Sequence, residues 1–168
     1  RGLGDVYKRQ ASGAIRIRSD VERKRLFGLA PEQRSRPEDE ATLYSSTMSA
    51  QTFSRLEQLA TLILDAGFPV IVDGTFLHRR VREDFRRLAD RRGVPFVVLD
   101  CTATMADIRS RLQARQQSGS DASEADMRVM EAQLAQVEAF GDAEQPRVVV
   151  DSAWDRQRLW HCVQNVLG

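Results

Sequence analysis

The chain has 168 residues, 42% hydrophobic and 29% charged, and its 25 basic and 24 acidic residues leave a net charge of +1. Length and composition describe one soluble globular domain with enough chain to bury a proper core. The balanced charge leaves no electrostatic footprint for duplex nucleic acid beyond a local basic cleft, and no run approaches the ~20 apolar residues of a membrane span.

The first segment stands apart from the rest. Asp5-Val6-Tyr7-Lys8-Arg9-Gln10 reads like a frame through the transposon end used to fragment DNA for sequencing, and Lys8 and Lys24 are the only lysines of an arginine-dominated chain. Residues 1–10 are therefore expected to be a scar, with 11–168 as the domain and the natural protein continuing upstream of Ala11. A genuine flexible basic N-terminus is the alternative.

In chain order, Ala14 to Arg18 reads as a strand that delivers Arg18 and Asp20 to the loop at its carboxyl end, followed at once by a charged helix from Val21 to Phe27. Leu29 to Ser46 is polar, carries Pro31 and Pro37 and has no sustained period, which predicts a loop or poorly ordered insertion. Thr52 to Ala66 places Phe53, Leu56, Leu59, Ile63 and Leu64 on one helical face, closed by Gly67. A strand from Pro69 to Asp73 leads to a helix from Arg80 to Arg92, with Val81, Phe85 and Leu88 at helical period and Gly93 at its end.

A third strand, Pro95 to Asp100, precedes a helix from Met105 to Arg115 and a mobile-looking stretch from Gln116 to Ala122. Ser123 to Phe140 is a further helix, opened by Ser123-x-x-Asp126 in the manner of a capping box. Arg147 to Asp151 is the last strand and Ser152 to Leu167 the last helix. Three of the four strands end in aspartate. Strands alternating with helices of this length imply βαβ crossovers, hence an α/β fold with a parallel sheet and helices on both faces. Cys101 and Cys162 lie far apart in apolar contexts and read as buried free thiols, which suits a reducing cytoplasm.

The chemistry of such a fold belongs at the carboxyl ends of its strands. Asp20 stands there either as a carboxylate that accepts a hydroxyl proton or as the cap of the helix behind it. Arg18 either clamps a substrate anion or pairs with Asp20 and solvent. Val70-Ile71-Val72-Asp73 has the shape of a Walker B strand, so that Asp73 could hold a magnesium shell or bind an acceptor. Gly74 after it permits close approach of a ligand to the backbone, and Thr75 adds a hydroxyl within reach. Arg111 and Arg115 are four apart on one helix face beside the mobile-looking stretch; they form either a closing lid that neutralises a phosphate chain or a solvated surface. His78 and His161 make no ligand constellation.

Ile-Arg-Ser-Asp-Val-Glu-Arg-Lys, Val-Ile-Val-Asp-Gly-Thr-Phe, the segment Ile108 to Arg115 and the run Asp121 to Asp126 occur in an order that resembles a family of AAA-type predicted P-loop kinases, similar to polynucleotide 5′-hydroxyl kinases, gluconate kinase and zeta-toxin-like kinases. The resemblance covers nearly everything from Ala14 to Asp151. It implies a three-layer α/β/α P-loop NTPase with strand order 2-3-1-4-5, a lid around 105–126, and ATP and Mg2+ as cofactors. The activity it implies is transfer of the γ-phosphoryl group to a hydroxyl of a small molecule, or to a nucleic-acid 5′ end. Position by position, Asp20 matches the proton-accepting aspartate, Arg18 a substrate-contacting arginine, Asp73 the acidic residue closing the Walker B-like strand, and Arg111 and Arg115 the lid arginines. Such domains also occur fused behind an aminoglycoside-phosphotransferase-like domain.

One departure from the family is large. No G-x-x-x-x-G-K-[ST] loop occurs in the sequence, and Lys24 follows no glycine-rich turn. The expectation is a fragment that lacks the family's first strand and phosphate loop, inactive and poorly stable as it stands, whose full-length parent is the kinase. A non-catalytic α/β binding or regulatory domain and a nucleotide hydrolase on the same scaffold are the alternatives.

Overall fold

The structure is a computed structural model that describes residues 13–118, 127–142, 144–151, 154 and 156–167. Residues 1–10, read as a scar, and the Ser123-x-x-Asp126 capping pattern lie outside the described residues. Strand β1 (Ile15–Arg18) runs directly into helix α1 (Ser19–Leu26), and a 3-10 turn (Pro37–Asp39) and short α2 (Glu40–Leu43) lead to the long α3 (Ser46–Asp65). There follow β2 (Val70–Asp73), α4 (Arg79–Arg92), β3 (Val98–Thr102), α5 (Met105–Ser118), α6 (Met127–Leu134), β4 (Arg147–Asp151) and α7 (Arg156–Leu167).

All strand pairing is parallel. β1 pairs with β2 from Ile15↔Val70 to Arg18↔Asp73, and β3 with β4 from Val98↔Arg147 to Thr102↔Asp151. Among the described residues these are two separate two-stranded ladders, so each strand has one ladder partner. The hydrophobic interior divides the same way. Leu56 and Ala60 of α3 meet Phe85 and Leu88 of α4, with Ile17, Val70 and Val72 packed against them, while Val148 and Val150 of β4 meet Leu159 and Val163 of α7. Because strand side chains alternate, Arg16, Arg18 and Asp73 face away from α3 and α4. Leu56 is fully buried at the centre of the first cluster. Leu56→Ala is accordingly expected to cost about 2–5 kcal/mol, read as a lower denaturant midpoint at unchanged slope.

Local chemistry accounts for the helix limits. The Ser45 hydroxyl accepts from the Met48 amide at 3.2 Å and starts α3 six residues earlier than the apolar period predicts. Gly93, at φ 63°, closes α4 in the left-handed conformation that glycine adopts without a Cβ penalty.

Several expectations need correction. Leu29 to Ser46 is not a bare loop: it contains the 3-10 turn and α2, Leu43 is 1% exposed, and the buried Lys24 ammonium donates to the carbonyls of Pro31 at 3.2 Å and Gln33 at 2.7 Å. Glu22, also buried, pairs with Arg25 on α1 and lies 3.7 Å from Arg55 of α3, so the start of this region is tied to the core helix. β3 begins at Val98 and runs through Asp100 to Thr102, because its first amide bonds the Pro146 carbonyl and its register is set by β4. Only β2 and β4 therefore end in aspartate. α6 ends at Leu134, well short of Phe140, and the residues after it serve α4 as described below. Cys101 is exposed at the end of β3, not buried, and Cys162 is half-buried; neither forms a disulfide.

Candidate active site

The register that sets Arg18 opposite Asp73 builds the site. Arg16 and Arg18, two apart on one strand face, both reach toward the carboxyl end of β2. Arg16 Nη2 donates to Asp73 Oδ2, Arg18 Nη2 donates to Asp20 Oδ2 at 2.6 Å, and Arg18 Nε stands 3.9 Å from Asp73 Oδ2. The result is an alternating row, Arg16, Asp73, Arg18, Asp20, across two adjacent strand ends. Asp20 is the most enclosed of the four, with 19% of its side chain exposed.

Asp20 is not the N-cap residue, but it satisfies one of the first-turn amides of α1. The helix starts at Ser19, the residue in the capping position is Arg18, and no side-chain cap bond forms there. Asp20 lies in the first turn, where a negative charge meets the positive end of the helix dipole, and its Oδ1 accepts from the Val21 amide at 2.9 Å. Both carboxylate oxygens thus have a hydrogen-bond partner.

Three further residues belong to this neighbourhood. Arg23, one turn on from Asp20, carries its guanidinium 5.3 Å from the centre of the Tyr44 ring. Burial lowers the Arg23 pKa, opposed by its attraction to Tyr44 and Asp20. Arg16 completes the row on β1. The i, i+3 spacing of Asp20 and Arg23 and the i, i+2 spacing of Arg16 and Arg18 were available signals for two of them; Tyr44 sits in the insertion and carries no such signal.

The two strand-end loops touch. A Cβ on Gly74 would meet Ser19 Oγ at 3.0 Å and Ser19 Cβ at 3.2 Å, so glycine at this position permits the loop after β2 to lie against the start of α1. Thr75 is exposed beside it. Phe76 follows at φ 43°, a left-handed conformation uncommon outside glycine, with its ring 5.2 Å from that of Phe53 and 5.3 Å from that of Phe85.

The family model described as AAA domain matches residues 5–140. The chain belongs to the AAA domain family. Its fold is that of a solved protein from Chloroflexus aurantiacus described as a putative kinase, with a TM-score of 0.67 over 99% of this chain and 94% of that one. At 18% identity that likeness speaks for the fold alone. A search of curated proteins finds no match.

Within this AAA-domain fold the predicted residues are gathered unevenly. Arg18, Asp20, Asp73 and Thr75 stand together at the ends of β1 and β2. Arg111 is exposed on α5, and none of the bonds that join the row reaches it. The side chain of Arg115 and residues 119–126 of the expected lid lie outside the described residues.

Asp73 binds the Arg16 guanidinium and has that of Arg18 3.9 Å away. Mg2+ takes one or two carboxylates together with waters and substrate phosphates, so Asp73 is the acidic side chain of this row that would face such a shell through water.

Proposed function

We propose that this chain is the acceptor-side core of an ATP-dependent phosphotransferase, which moves the γ-phosphoryl group of ATP to a hydroxyl of a small molecule. A nucleic-acid 5′ end is the less favoured acceptor, since the chain is near neutral overall. The observation that carries the reading is the row of Arg18, Asp20 and Asp73 at neighbouring strand ends, placed where open α/β sheets bind their ligands.

In this reading Asp20 takes the proton of the acceptor hydroxyl as its oxygen attacks the γ-phosphorus and ADP leaves. Arg18, held by Asp20 on one side and Asp73 on the other, steadies the anion that develops. Thr75 contacts the acceptor. Arg111 and Arg115, a helical turn apart, would neutralise charge on the phosphate chain when the lid closes. In this reading ATP and Mg2+ are held by a phosphate loop, a pattern that does not occur in these 168 residues, and no step is assigned to the metal here. The two separate ladders support the same view, because an additional parallel strand between β2 and β3 would pair the edges that the order 2-3-1-4-5 assigns to it.

The test is ADP formation by the full-length protein, with and without hydroxyl acceptors. Acceptor-dependent release is the expected result. Release that no acceptor changes identifies a hydrolase, and no release at all identifies a binding domain.

A further inference from the structure

One of the most fully bonded side chains among the described residues is not one of the candidate residues. Arg82 of α4 is 3% exposed and forms a two-point pair with Glu144, through Nε to Oε1 and through Nη2 to Oε2. Its Nη1 donates to the Phe76 carbonyl at 2.9 Å and the Leu77 carbonyl at 3.2 Å, and its Nη2 to the Glu138 carbonyl at 3.0 Å. The ring of Phe140 covers the guanidinium at 4.3 Å, with Arg147 on the same ring at 4.7 Å. Every donor of the planar fork is used, which a lysine with three donors on a point charge cannot reproduce.

Two of those bonds end on the turn that follows Asp73. Phe76 is held at its ring by Phe53 and Phe85 and at its carbonyl by Arg82, so its unusual backbone is fixed from both sides. Glu138 closes the turn from outside: its amide donates to the Leu77 carbonyl at 2.9 Å and its carboxylate accepts from the Arg79 amide at 2.6 Å. Between the end of β2 and this anchored turn only Gly74 and Thr75 remain. A two-residue bridge between two fixed ends has little freedom.

The geometry points to Arg82 as the positioning residue of the phosphotransfer site: through the Phe76 and Leu77 carbonyls it sets where Thr75 stands relative to the row of Arg18, Asp20 and Asp73 that the β1–β2 register fixes. The inference rests on the phosphotransferase reading for its consequence, but its structural half is independent of it.

Arg82→Lys keeps the charge and loses the fork. Amide exchange of the chain, compared residue by residue, should show Arg79 and Glu138 exchanging about tenfold faster or more while Ala60 in the core helix is unchanged. In the full-length protein the same substitution should lower kcat by about tenfold at unchanged KM for ATP. Phe140→Leu, which removes the ring but not the pair, should move both readouts in the same direction by less, and serves as the test if Arg82→Lys does not fold. Exchange that is unchanged at the turn, or that rises equally in the core, overturns the positioning role. A wild-type protein that transfers no phosphoryl group, together with local loosening of the turn, instead refutes the phosphotransferase reading alone. Local loosening with kcat unchanged separates the turn from the chemistry and overturns the inference.

Discussion

If the proposed phosphotransfer is correct, Asp20→Asn is expected to lower kcat by about 100- to 10,000-fold with ATP binding nearly unchanged. The amide keeps the shape of the side chain and can still receive a hydrogen bond from Arg18, but it cannot take the acceptor's proton. The carboxylate is held in place, one oxygen by Arg18 at 2.6 Å and one by the Val21 amide at 2.9 Å. Steady-state kinetics at saturating acceptor, with nucleotide affinity measured by calorimetry, separates loss of chemistry from loss of binding. An unchanged kcat removes Asp20 from the base role.

The second large effect concerns stability. Glu144→Ala leaves the Arg82 guanidinium buried with no counter-charge, which is expected to cost about 3–5 kcal/mol in denaturant unfolding at neutral pH. It also frees the Gly141 amide, which donates to Glu144 at 2.7 Å. The same pair predicts a pH dependence. The hydrogen bond from Arg82 first, and that from Gly141 after it, hold the Glu144 carboxyl below its ordinary range. A carboxylate with a depressed pKa in the folded state contributes its full stabilisation above the unfolded-state value, about pH 4 to 5, and loses it as pH falls through the folded value. Wild type should therefore lose stability through this acid range, and Glu144→Gln, which has no proton to bind there, should show a shallower acid slope. Equal slopes would deny the pair its role.

Much of this architecture was legible from pattern because local chemistry enforces it. β4 is the apolar run Arg147–Asp151 as read, α4 ends at Gly93 in the left-handed conformation, and Asp73 ends β2 as the alternation of strand and glycine implies. Arg18, Asp20, Asp73 and Thr75 come together because they sit at the ends of two strands that pair in register. Other features depend on distant partners. Arg82 carries no signal that sets it apart from the other arginines of α4, and its burial follows from Glu144, 62 residues away. Pro95 to Val97 is apolar enough for a strand, yet the ladder starts at Val98 because the facing strand starts at Arg147. The insertion after α1 looks unstructured, since nothing in its period reveals that Lys24 will be buried against its carbonyls.

The phosphate cradle is the part of the account on which the rest depends, and the contiguous genomic sequence upstream of the codon for Ala11 tests it most directly. The proposed phosphotransfer requires there an in-frame apolar strand followed by Gly-x-x-x-x-Gly-Lys-Ser/Thr. A start codon at this boundary with no such loop upstream would contradict it, and would make the scaffold a binding domain whose charged row serves another ligand.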